Sequence, residues 1–84
     1  MGSLQYGQVR FVAYPSDHEP RHVHGFVGAS EAVVDLRPNG SVALAKRKKA
    51  VKPANAKRSD IRSILVAGQQ HFDELVRLWE AMHE

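Results

Sequence analysis

Eighty-four residues with 12 Lys and Arg, 9 Asp and Glu and no cysteine describe one small domain, and they exclude disulfides and thiolate ligands, leaving His, Asp or Glu to hold any metal. The net charge of +3 is modest but uneven. From Lys46 to Arg58, "KRKKAVKPANAKR", there are seven basic residues and no acidic one, against five basic and nine acidic elsewhere, so the positive potential is local and favours polyanions or acidic partners.

No apolar run approaches the ~20 residues of a membrane span, and "MGSLQYGQ" lacks a basic region followed by an apolar one, so neither a span nor a leader is expected. With no cysteine this fits a reducing cytoplasm. Met1-Gly2-Ser3 reads as a cloning remnant. Gln8–Tyr14 alternates polar and apolar residues with Val9, Phe11 and Ala13 on one side, the period of a half-buried strand. "PSDHEP" breaks it, since prolines cannot donate to a ladder. Second and third strands are predicted at His22–Val27 and Glu31–Leu36. The Asn39-Gly40 pair is a hairpin signal, because both residues tolerate positive φ, and a fourth strand returns over Val42–Arg47.

After the basic connection (46–58), Ile61, Ile64, Leu65, Gly68, Phe72, Leu75, Val76, Trp79 and Met82 recur at steps of three and four, one face of a helical region over 59–83. Ser59 or Asn55 is the expected N-cap, with Asp60 in the first turn. Gly68 is the expected point of a bend or a split into two helices. The resulting fold class is α+β: a four-stranded antiparallel meander (8–47) packed on one face by C-terminal helix, all in a single domain.

Chemistry concentrates in "SDHEPRHVH", Ser16 to His24, which holds three of the five histidines. On a strand, His22, His24 and Phe26 share one face and Val23, Gly25 and Val27 the other. With the valines toward the helix, His22 and His24 stand side by side on the uncovered face, within reach of Asp17 or His18 on the loop. Two imidazoles at i and i+2 can converge on one metal ion with a third His or Asp. Alternatively, a histidine oriented by an acid can serve the acid and base steps of phosphodiester cleavage. A solvated sheet face with turn residues at Ser16 and Asp17 explains the same residues without chemistry. His71 and His83 read as helix-surface or helix-dipole residues.

Lys46, Arg47, Lys48, Lys49, Lys52, Lys57 and Arg58 can neutralise several phosphates. No aromatic residue is interleaved with them, so they offer affinity without sequence reading. A solvated linker, or a docking surface for an acidic protein, accounts for the same charges.

The order of features, Asp17-His18-x-Pro20-x-His22-x-His24, then "EAVVDL", Asn39-Gly40 and a helix ending "HFDELVRLWE", resembles a bacterial domain-of-unknown-function family built around Asp-His-x-Pro-Pro-His-aromatic-His. The match runs from about Tyr6 to Glu80, with Arg21 in place of the second proline and Val23 in place of the aromatic residue. The resemblance implies a small α+β toxin of a toxin-antitoxin pair, with a cognate antitoxin protein as partner and Asp17, His18, His22 and His24 as motif positions. The expected function is therefore a cytoplasmic toxin acting on or binding RNA or another nucleic acid, in which those four residues form the catalytic or recognition site and the seven cations hold the phosphate backbone. A ribonuclease-like hydrolase is compatible with this without being required. No cofactor and no metal ligand is assigned. The rivals are a non-enzymatic nucleic-acid- or protein-binding module and a metal-dependent hydrolase using the histidine cluster.

Overall fold

A computed structural model describes residues 2–83. Six strands, β1 (Gly2–Tyr6), β2 (Val9–Ala13), β3 (His22–Val27), β4 (Ser30–Leu36), β5 (Val42–Leu44) and β6 (Val51–Lys52), precede two helices, α1 (Arg58–Gln70) and α2 (Phe72–Met82). All pairings are antiparallel in the order β1-β2-β3-β4-β5, with β6 also on β4. The α+β meander is as expected, with two strands more. β1 includes Gly2 and Ser3, which pair with Ala13 and Val12 in the sheet. β6 lies inside the segment expected to be a connection.

The sheet's period of two sorts its side chains. Val9, Phe11, Ala13, Val23, Val27, Ala32, Val34 and Leu36 meet Ile64, Ala67, Leu75 and Trp79 of the helices in one core. Phe11, Gly25 and Ala32 align across three strands, and Gly25 leaves room for the helix: a Cβ there would collide with Ile64 Cγ2. Gly7 and Gly28 turn the first and third hairpins with positive φ, the glycine-first pattern of two-residue loops. The turn at Asn39-Gly40 is longer than a two-residue hairpin. Only Gly40 has positive φ, Asn39 Oδ1 accepts from Ser41 N–H and Oγ–H, and Gln69 of α1 bonds to both Gly40 and Val42.

The helical region splits at His71, not at Gly68. Gly68 stays inside α1, buried on the sheet, where a Cβ would meet Phe11, Val34 and Val42 at ordinary contact distance. The N-cap of α1 is Lys57 with no side-chain cap, instead of Ser59 or Asn55. Asp60 in the first turn accepts from the buried Ser30 hydroxyl at 2.8 Å, which ties α1 to the start of β4.

Candidate functional site

The loop between β2 and β3 brings Asp17 back over the strand it precedes. Asp17 N–H donates to the Tyr14 carbonyl at 3.1 Å, a tight turn of the kind aspartate favours. The Asp17 carboxylate then lies against both strand histidines: its Oδ2 is 3.2 Å from His22 Nε2 and 3.2 Å from His24 Nε2. The two rings stand 5.6 Å apart, centroid to centroid. The alternation of β3 puts His22 and His24 on one face as expected, but that face is not uncovered at His22, which is buried against Trp79 of α2.

Each ring is held from behind. His22 Nδ1–H donates to the Pro20 carbonyl at 2.9 Å, and because a carbonyl only accepts, this contact places the proton on Nδ1. His24 Nδ1 lies 3.2 Å from Glu31 Oε2 on β4. Trp79 of α2 covers His22 at 5.2 Å between centroids, and Tyr14 meets His24 edge-on at 4.9 Å. His22 is only 2 % exposed, and its Nε2 lacks a hydrogen-bond partner: Asp17 is near enough for an ion pair but off the hydrogen-bonding direction. His24 and Asp17 keep 16 % and 22 % of their side chains exposed, so the cluster opens to solvent on their side.

His18 is exposed and stands outside this cluster. Two residues that the sequence reading left outside the site border it, Glu31 and His83. Glu31 could have been found, because a two-residue Gly28-Ala29 turn aligns Phe26 with Glu31 and His24 with Val33, which puts Glu31 on the histidine face. His83 could not: its Nε2 reaches the Asp17 carbonyl at 2.8 Å from 66 residues away, while Nδ1 faces the Trp79 carbonyl at 2.7 Å and the ring stacks on Trp79 at 3.6 Å. It clamps the loop to the end of α2, a role beyond the helix-terminus reading.

Phe26 completes the face, half-buried beneath the Arg10 guanidinium, whose Cζ is 5.4 Å from the ring centroid. His71 belongs to a separate group. It stacks on Tyr6 at 3.6 Å and its Nδ1 is 2.9 Å from Glu74 Oε1. Burial, and then the Glu74 carboxylate, push the Tyr6 phenol above its ordinary value of 10.0, with Arg77 opposing.

The seven cations are all exposed, and none is in an ion pair among the described residues. Four of them share one structure. β5 leaves β4 at Ala45 and the chain returns at Ala50, so Lys46–Lys49 form a knuckle on the sheet edge. Both ends are fixed by one residue: Ala45 N–H donates to the Val33 carbonyl at 3.0 Å and Val33 N–H donates to the Ala50 carbonyl at 2.7 Å. Ala45 and Ala50 pack on the Val33 side chain, and Lys49 takes a left-handed φ of 63° to close the turn. Val33 is the cross-strand partner of His24, so the root of the knuckle is about two strand spacings, ~10 Å, from the histidine cluster. Lys52 follows in β6, and Lys57 and Arg58 lie at the start of α1.

Among the described residues no helix is long and apolar enough to cross a membrane. No curated protein and no solved structure matches the chain. A family model does match, over residues 8–80, and takes in both the Asp17–His24 cluster and the knuckle; the chain belongs to the family described as "Domain of unknown function (DUF4160)".

Proposed function

We propose that the chain acts on RNA or a related nucleic acid as the toxin half of a toxin-antitoxin pair. The Lys46–Lys49 knuckle holds the phosphate backbone, and the Asp17–His22–His24 cluster is the reactive or recognition site beside it. The observation that carries this reading is the knuckle: four consecutive exposed cations whose backbone is anchored at both ends to the strand next to His24. A polyanion gains most where cations are already gathered and their loop needs no further ordering. The antitoxin and the toxin role come from the motif Asp17-His18-x-Pro20-x-His22-x-His24 and the resemblance it carries.

Retention of single-stranded RNA tests the interface. Binding is expected to weaken with salt with a log–log slope of about −3, four cations at ~0.7 each, and changing Lys46, Arg47, Lys48 and Lys49 together to alanine should flatten it. Expression in a bacterial host, with growth and total RNA followed together, tests the site: arrest with RNA breakdown in the wild type and not in Asp17→Asn supports the toxin reading. RNA retained but left intact would identify a binding module without turnover. RNA neither retained nor broken, with normal growth, would sink the proposal.

A further inference from the structure

We infer that Asp17, His22 and His24 form a binding site for one divalent transition-metal ion, with zinc the best fit, bound through Asp17 Oδ2 and the two Nε2 atoms. The ion site stands whether or not the chain handles RNA.

The first support is a shortage of protons. Four ring nitrogens in the cluster face oxygen atoms: His22 Nδ1 faces the Pro20 carbonyl, His24 Nδ1 faces Glu31, and both Nε2 atoms face Asp17 Oδ2. Two neutral imidazoles carry only two protons. With one proton on each Nδ1, both Nδ1 contacts become hydrogen bonds; His24 Nε2 then turns a lone pair toward Asp17 Oδ2 along a hydrogen-bonding direction, and His22 Nε2 lies bare beside the same oxygen, an arrangement that repels unless a cation lies between them. His22 Nε2 displays this directly, as a buried nitrogen without a hydrogen-bond partner, aimed into the cluster. A divalent ion turns the two lone pairs and the carboxylate oxygen into ligands and also balances the charges of Asp17 and Glu31.

The second support is geometric. The three ligand atoms lie within 4.8 Å of one another, and each Nε2 is 3.2 Å from Asp17 Oδ2. Ligands at ~2.0–2.1 Å from zinc are about 3.3 Å apart in a tetrahedron and about 3 Å apart in an octahedron, so both contacts to Asp17 already have ligand spacing, and the two Nε2 atoms, within 4.8 Å, would close to that spacing around an ion. Two histidines and one carboxylate leave at least one position for water or substrate.

The third support is the outer shell. Metal-bound imidazoles characteristically donate the other N–H to a carbonyl or a carboxylate, and His22 and His24 have one of each. The Asp17 backbone is itself fixed by Tyr14 and His83, so the ligand set is preorganised. Copper binds such donors more tightly still, but zinc keeps the assay free of redox chemistry.

The test is zinc titration of the full chain, made without a histidine tag and dialysed against chelator, followed by calorimetry and by thermal unfolding. One equivalent of zinc is expected to bind and to raise the midpoint of unfolding. Asp17→Asn keeps the shape of the side chain and should abolish saturable binding, with an unchanged near-ultraviolet spectrum showing that the fold survives. Glu31→Gln should weaken zinc by about 10–100-fold. His18→Ala, outside the cluster, should bind as wild type. Imidazole nitrogen NMR should show zinc on Nε2 of both rings with the protons on Nδ1. The assignment is overturned if zinc does not bind stoichiometrically, if Asp17→Asn binds it unchanged, if His18→Ala loses it, or if both rings are doubly protonated and insensitive to zinc. RNA retention is read separately, through the Lys46–Lys49 variant in chelated protein, so the ion site and the nucleic-acid interface fail separately.

Discussion

The histidine cluster and the basic knuckle are both dense collections of charge, and the fold handles them in opposite ways. In the cluster the side chains are fixed: every ring nitrogen of His22 and His24 faces an oxygen, and Trp79 and Tyr14 box the rings. In the knuckle the backbone is fixed and the side chains are free, since Val33 holds both ends while Lys46, Arg47, Lys48 and Lys49 reach into solvent. The first suits a ligand recognised by direction, such as a metal ion. The second suits one recognised by charge alone, such as a phosphate chain. The cluster should therefore depend on the packing of the whole domain, and the knuckle should not.

Trp79→Ala should separate the two most strongly. The indole is 2 % exposed and lies between His22 and His83, so its loss should cost about 3–5 kcal/mol in chemical denaturation and release the Asp17 loop, while any polyanion affinity in the variant that remains folded stays close to normal. Gly25→Ala comes next. Its Cβ must displace the fully buried Ile64, an overpacking worth about 1–3 kcal/mol; urea unfolding should show this, and an unaltered midpoint would mean that α1 is free to move off β3. The combined alanine substitution of Lys46, Arg47, Lys48 and Lys49 should change stability by no more than about 0.5 kcal/mol, because exposed groups without partners contribute little. A larger loss in the same urea experiment would show that the cations support the edge and would erase the contrast. Alkaline pH probes a third region. Because the Tyr6 phenol is raised in the folded state, the native chain holds its proton more tightly than the unfolded one, so stability is fully present below pH 10 and falls as pH rises through the folded-state value. Denaturant midpoints measured upward from pH 9 should decline, and Tyr6→Phe should lose that part of the decline.

Much of the sheet was legible because period-two alternation is strong where one face is buried. His22–Val27 was found residue for residue, and with it the pairing of His22 and His24 on one face. β1 is not legible although Leu4 and Tyr6 alternate with Ser3 and Gln5, because two apolar residues with a glycine at each end resemble a tail; they matter only once α2 lies over them. β6 has two residues, too few for any period. The helical stripe is legible, but the break falls at His71, whose stack on Tyr6 is tertiary and leaves no local signal, while its bond to Glu74 is a local i,i+3 contact. The same limit applies at the site. Asp17 and Glu31 are close to the histidines in sequence or register, whereas His83 reaches them only through the packing of α2. Charge density alone marked Lys46–Lys49 but could not distinguish a flexible connection from an anchored turn.

The interruption of the outer strand also bears on self-association. An uncovered sheet edge is a template on which a second chain can extend the ladder. Here that edge is divided into pieces of three and two residues, and the gap between them is filled by four like charges. A neighbouring copy approaching β5 and β6 would meet a broken row of hydrogen-bonding groups and strong repulsion, as gatekeeper residues provide in other sheets. The knuckle therefore guards this edge against strand-to-strand aggregation whatever it binds, and neutralising it would expose that hazard in concentrated solution even where the fold of a single molecule is unchanged.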